Sequence, residues 1–212
     1  MIFVKKQNNN NKNEFWIGFS DLMTGLMLVF IVLSLTFMAI AKEKLDEMQE
    51  QRKNIIVILS EKLASNDIQV EYNADKGTVT IAQDILFEQT KPDLNLQGKS
   101  FIQLFAKILD NNIFNNEKYK ELIKYIHIEG YASKEGPIED NFNISFKRAM
   151  NVWLYMTSNN LKNEMIMKEK LNIVSRGEID ANQDIIDEKD RKVVFRFEFY
   201  DTYNELFKGL SK

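Results

Sequence analysis

Asp21 is the one charged residue in FWIGFSDLMTGLMLVFIVLSLTFMAIA, the 27-residue stretch from 15 to 41. A carboxylate held in hydrocarbon near a helix centre costs about 2.5–3.5 kcal/mol on insertion scales. A proton or cation that neutralises it removes most of that cost, so the chemistry open to such a group is ion carriage. The plainer alternative is an acid that snorkels to a headgroup or to water. Gly18, Asp21 and Gly25 fall at i, i+3 and i+7 and share one helix face, with Thr24 beside them. Small residues there let a second backbone approach closely. The hydroxyls of Ser20 and Thr24 are positioned to bond the acid or the water of a passing ion.

The element that must position Asp21 is the apolar run itself. A hydrocarbon core of about 30 Å needs roughly 20 residues at 1.5 Å rise, and residues 15–41 exceed that. Two other readings compete. Lys5, Lys6 and Lys12 in front and Ala39-Ile40-Ala41 behind resemble a cleaved signal peptide. A signal core is usually about 7–15 residues, however, and this one is longer and carries an acid. A buried core helix would need apolar partners on every side, which the rest of the chain does not supply. The reading is therefore a transmembrane helix over 15–41. Three lysines and a single acid in residues 1–14 mark that tail as cytoplasmic, with the bulk of the chain on the opposite side.

Residues 42–66 read as a helical linker continuing from the membrane. Leu45, Met48, Ile55 and Leu59 follow a 3-4-3-4 spacing interrupted by Arg52, the seam of a parallel dimer. An amphipathic surface helix of the next domain uses the same kind of stripe. Beyond residue 67, two short alternating segments flank Asp75-Lys76-Gly77, a hairpin signal. Helical periodicity covers NLQGKSFIQLFAKILDNN and Glu117–Lys124. A buried-type strand, YIHIEGY, comes next, followed by a helix over IEDNFNISFKRAMNVWLYMTSNN. Strand LNIVSRG, a loop over 178–190, strand KVVFRFEFY and a terminal amphipathic piece complete the chain. The predicted class is α+β, with helices packed on one mixed sheet.

Composition narrows the function. Cysteine is absent and histidine occurs once, which removes disulfides, thiolate sites and a structural zinc. A net charge of −3 offers no basic field for nucleic acid. There is no Gly-rich phosphate loop and no nucleophile–base constellation. His127 alternates with Ile126 and Ile128 and reads as an ordinary strand position, while Phe15 and Trp16 fit an interfacial aromatic belt.

Two resemblances connect these segments. FWIGFSDLMTGLMLVFIVL resembles the single membrane helix of MotB-type subunits of ion-driven rotary motors, with Asp21, Met23 and Thr24 on the family pattern. IHIEGYASKEGPIEDNFNISFKRA resembles the OmpA-like peptidoglycan-binding domain, with Gly130, Gly136, Asn141, Ile144, Ser145, Arg148 and Ala149 in register. SRGE at 175–178 and DRKVVFRF extend that likeness, which covers roughly residues 67–200. The resemblance implies an OmpA-like α/β sandwich over 67–212 and a wall-peptide site at Ser133, Asn141, Ile144 and Arg148. An arginine fork there clamps a stem-peptide carboxylate, and Asn141 bonds the peptide backbone. Ser133 stands where the family carries an aspartate for the ligand's ammonium, and a serine cannot neutralise that charge.

Together the resemblances imply a non-enzymatic, homodimeric stator subunit of the bacterial inner membrane. The N-terminus is then cytoplasmic and the C-terminal domain periplasmic. A ring of multi-span MotA-like subunits and peptidoglycan are the implied partners, with no direct nucleic-acid contact. No cofactor is implied; the transported ion is H+ or Na+. The stretch FSDLMTGLMLVFIVL looks closer to the B subunits of Zorya anti-phage defence systems, and the short passage from 42–66 into the wall domain departs from flagellar stators, which remain the alternative alongside a passive wall tether.

Overall fold

The computed structural model describes residues 10–88, 91–158 and 161–200, with side chains from residue 15 onward. The terminal amphipathic piece expected after residue 200 and most of the predicted cytoplasmic tail lie outside these residues. The chain divides into two compact units, Met1–Glu47 and Met48–Lys212, and helix α1 (Asn10–Ala64) contributes to both.

In the first unit, α1 is long and apolar enough to cross a membrane. Its large side chains are unburied throughout, from Phe15 and Trp16 to Met38 and Ile40. The rings of Phe15, Trp16 and Phe19 cluster with centroids 6.1–6.5 Å apart at the start of the apolar run, the amphipathic arrangement of an interfacial belt.

The second unit is built on a five-stranded sheet in the order β1-β2-β5-β3-β4. Its strands are β1 (Glu71–Asn73), β2 (Thr78–Ala82), β3 (Ile123–Tyr131), β4 (Leu171–Gly177) and β5 (Lys192–Phe199). Among the described residues only β3 and β4 pair in parallel. Parallel neighbours need a crossover, here α5 (Ile138–Met156) followed by α6 (Glu164–Lys170). The β1–β2 hairpin turns at Gly77, whose φ of 64° is open to glycine at little cost. Between β2 and β3 lie the single turn α2 (Gln83–Leu86), α3 (Leu96–Ile108), a π-helical turn (Leu109–Phe114) and α4 (Glu117–Leu122). Asn95 caps α3 by accepting from the Gly98 amide at 2.6 Å, and Asn116 caps α4 by accepting from Lys118 at 3.0 Å.

Among the described residues the expected helices and strands are present, except that Ile123 and Lys124, expected at the end of the helix from Glu117, belong to β3. Two short helices, α2 and α6, were not foreseen, because four and seven residues are too few to display a period. The core joins Phe101, Ile102 and Phe105 of α3 and Ala149, Val152 and Met156 of α5 to Val79, Ile81, Ile126, Ile128, Val193 and Phe195. The rings of Phe105 and Phe195 meet at 4.4 Å between centroids.

One expectation is corrected. The spacing of residues 42–66 predicts a linker with a dimer seam, yet from Met48 onward α1 belongs to the second unit. Ile55, Ile56, Leu59 and Leu63 are fully buried in its core. Ile56 and Leu63 widen the stripe beyond an a/d seam, to the width a helix needs when it covers a globular core. Arg52 sits over the ring of Phe199 at 5.4 Å, and Lys53 pairs with Asp75 at 2.7 Å, fastening the helix to the hairpin and to the end of β5.

Candidate functional site

The expected wall-peptide residues are spaced along α5, and what holds that helix in place explains much of the motif. Asn141, Ile144, Ser145 and Arg148 recur at i, i+3, i+4 and i+7, so they share one face. Ser145 is fully buried, and its hydroxyl meets that of Ser175 at 2.7 Å and accepts from the Gly177 amide at 3.1 Å. Gly130 permits the contact from the other side: a Cβ there would lie 2.1 Å from the Ser145 carbonyl oxygen. Gly130 and Ser145 thus seat α5 directly on β3 and β4.

Arg148 is the unusual group. It is 3 % exposed, and among the described residues no carboxylate pairs with it. Its Nε donates to the Lys91 carbonyl at 3.4 Å, and its guanidinium lies over the Phe87 ring, 5.5 Å from the centroid. Burial, followed by the nearby positive charge of Arg191, pulls its pKa down to about 10. A buried cation that finds only a carbonyl and an aromatic face is costly alone, and an incoming anion is what it lacks. Asn151 bonds the Pro92 carbonyl at 2.8 Å and so fixes the segment beside it.

Asn141 is already engaged, donating its side-chain amide to Glu178. That leaves its carbonyl oxygen to accept from a ligand N–H, so the expected contact to a peptide backbone has a defined sense. Ile144 is half-buried on the same face. Ser133 is buried at the end of β3, next to Ala132, whose amide donates to the Gly177 carbonyl at 2.8 Å.

Phe87 and Arg191 complete the surroundings and were not picked out from the sequence. Phe87 follows α2, and Arg191 precedes β5. Both line a cleft of about 620 Å3 together with Gln83, Asp84, Glu188 and Lys189. Arg191 reaches Glu188 at 3.3 Å and Glu135 at 3.9 Å. A phenylalanine in an apolar segment carries no mark of the guanidinium that will cover it; only the tertiary approach of α5 does that.

The model of the OmpA family matches residues 86–193, half of the 212-residue chain. This chain belongs to the OmpA family. The matched span begins at Leu86, beside Phe87, and ends in β5, so it contains every wall-site residue named above. The chain is 31% identical over 148 residues to the Zorya protein ZorB of Escherichia coli strain Crooks, covering 63% of this chain and 60% of that protein. It is 23% identical over 153 residues to ZorB of Escherichia coli O139:H28, covering 68% and 61%. The match thus spans about three fifths of the length of these curated relatives. A MotB-like protein from Desulfovibrio vulgaris shares the fold, with a TM-score of 0.54 at 17% identity over 76% of this chain and 99% of that one.

The membrane-segment residues lie in the other unit. Ser20, Asp21 and Thr24 are all exposed on α1. Thr24 donates its hydroxyl to the Ser20 carbonyl at 2.8 Å, so its oxygen is left as an acceptor. At Gly18 and Gly25 a Cβ would meet nothing within 4 Å. Every face of α1 from Phe15 to Ile40 is exposed, and the small residues make this the one on which a second backbone could come closest.

Proposed function

We propose that the chain is the wall-anchored B-type subunit of a proton-driven inner-membrane rotary motor of the Zorya anti-phage defence type. The observation that carries this reading is a lone acid, Asp21, on the open Gly18/Gly25 face of an apolar helix that leads into an OmpA-family domain. The similarity to two ZorB proteins supports the system; the buried, carboxylate-free Arg148 supports the anchor.

In this reading two copies present their Asp21 faces to a surrounding ring of multi-span subunits. Protonation from the outer side neutralises Asp21 and lets one packed arrangement replace another; release to the cytoplasm restores the charge and the first arrangement. A membrane potential supplies about 2.3 kcal/mol per charge per 100 mV to drive the cycle. Peptidoglycan bound through Arg148 and Asn141 resists the torque, so the ring turns and the dimer does not. No residue of this chain need form or break a covalent bond.

The test is protection against phage by the complete system carrying Asp21→Asn. Asparagine preserves size and hydrogen bonding but cannot carry a proton. Loss of protection at unchanged protein level is expected, with partial return in Asp21→Glu. Full protection by the asparagine variant sinks the relay.

A further inference from the structure

The outer side of α5 is apolar where a surface helix is normally polar. Beyond its first turn the helix exposes five residues, Asn143, Phe146, Lys147, Met150 and Leu154. Phe146, Met150 and Leu154 are 45 %, 38 % and 46 % exposed. They recur at i, i+4 and i+8, the spacing of one ridge on a helix surface. Arg148 stands two residues from both Phe146 and Met150, about 200° round the helix. The ridge and the wall site therefore occupy opposite sides of α5.

The shape, charge and size of the ridge point to a second copy of this chain. Ridges of i, i+4 type interdigitate with their own kind at about −50°, so one ridge serves both sides of a two-fold axis. With that axis at Met150, the middle of the ridge, an antiparallel crossing sets Phe146 of each copy against Leu154 of the other. Lys147 then comes to the last turn of the opposite α5. The carbonyl end of a helix favours a cation, and this one has no basic residue in its last turn. The apolar area, on the order of a few hundred Å2 per copy, is too small for free partners, which need roughly 1,000 Å2 in total. Two chains already held in one complex by their membrane helices meet at an effective concentration of about millimolar, where a small surface suffices. With Ile55 and Leu59 taken up by the domain core, the dimer expected along residues 42–66 needs such a surface elsewhere.

We propose that Phe146, Met150 and Leu154 form the contact between the wall-binding domains of two copies, packed antiparallel about a two-fold axis at Met150. It rests on the two-copy motor reading. Each wall site then lies on the side of α5 away from the contact, and one dimer grips peptidoglycan at two points. Bivalence of that kind raises retention by roughly 10²–10⁴-fold over a single site.

Packed helices lie about 8–10 Å apart, and each Cα stands about 2.3 Å off its axis. Two Met150 Cα atoms on the axis are then about 4–6 Å apart, within the span of a disulfide. The chain has no cysteine of its own. Full-length Met150→Cys in bacterial membranes, oxidised with copper phenanthroline, is therefore expected to run mainly as a disulfide-linked dimer. Lys118→Cys, exposed on α4, should stay monomeric under the same treatment. Adding Phe146→Asp or Leu154→Asp to the Met150→Cys chain should lower its linked fraction to that of Lys118→Cys. Tm in detergent micelles should hold, as exposed positions normally allow. A fall in Tm with cross-linking retained assigns the ridge to its own domain and overturns the contact. Co-expressed Phe146→Cys and Leu154→Cys chains should link to each other; each linking only to itself overturns the antiparallel packing. Native mass spectrometry of the wild-type chain in micelles completes the test. A dimer in which Met150→Cys fails to link removes this surface alone, whereas a monomer removes the surface and the two-copy reading together.

Discussion

The guanidinium of Arg148 stacks over Phe87 at 5.5 Å while its Nε makes one long bond to a carbonyl and pairs with no acid among the described residues. A folded protein rarely buries a cation on such terms, because desolvation then outweighs what an aromatic face returns. On the wall-binding reading proposed above, the arrangement awaits an anion, and its stability cost is the measurable sign of that. Arg191 adds a second positive charge nearby, which deepens the demand for an anion.

Arg148→Met should therefore separate binding from folding. Pull-down by purified peptidoglycan is expected to fall to background. The urea midpoint should hold or rise, because an apolar side chain of similar length replaces an unpaired charge. A large fall in stability with undiminished pull-down would mark Arg148 as a structural residue.

The second half of α1 is part of the domain core, and that has a sharp consequence for where the domain begins. Ile55, Ile56, Leu59 and Leu63 each contribute about 1.5–3 kcal/mol of burial, a sum comparable to the whole stability of a typical domain. A fragment starting at Met48 is expected to melt cooperatively, whereas one starting at Asp67 should show no cooperative transition. Within the full chain, Leu59→Ala should cost about 2–5 kcal/mol. Calorimetry on the two fragments checks the boundary directly.

That boundary also marks how far the sequence could be read. The strands and long helices were legible because periodicity and turn residues are local, as at Asp75-Lys76-Gly77 and along α5. The spacing of Gly130, Asn141, Ser145 and Arg148 was legible as a motif, and the structure gives it a cause in the close approach of Gly130 to Ser145. What α1 packs against was not legible, since a heptad seam and a core stripe share Met48, Ile55 and Leu59. Nor were Phe87 and Arg191, whose roles depend on the meeting of segments about a hundred residues apart in the chain.

Gly130→Ala tests the seat of α5. The added methyl would have to occupy space 2.1 Å from the Ser145 carbonyl, so backbone must shift. Overpacking of this kind costs about 1–3 kcal/mol. Because α5 carries Asn141 and Arg148, wall binding should weaken along with the thermal midpoint. A midpoint within experimental error of wild type would mean that β3 and α5 are less tightly docked.

The sheet carries an acid whose titration should be visible in stability. Glu129 accepts from Arg196 Nε at 2.9 Å and Nη2 at 3.0 Å, and from the Tyr131 hydroxyl at 2.7 Å. Burial by itself would raise its pKa, but the bonds from Arg196 and Tyr131 and the charges of Arg196 and Arg176 outweigh it, holding the carboxyl below 4.5. The folded state thus binds a proton less readily than the unfolded chain. By linkage, the stabilisation is fully present above the unfolded pKa near 4.5 and is lost as pH falls through the lower folded value. Glu129→Gln should cost about 1–3 kcal/mol at neutral pH, the range for charge-assisted bonds. The gap to wild type should close as the pH falls from 4.5 through the lower folded value. Urea midpoints measured for both proteins between neutral and acid pH test this, and a gap that stays constant across the range assigns the ion pair no part in the acid sensitivity.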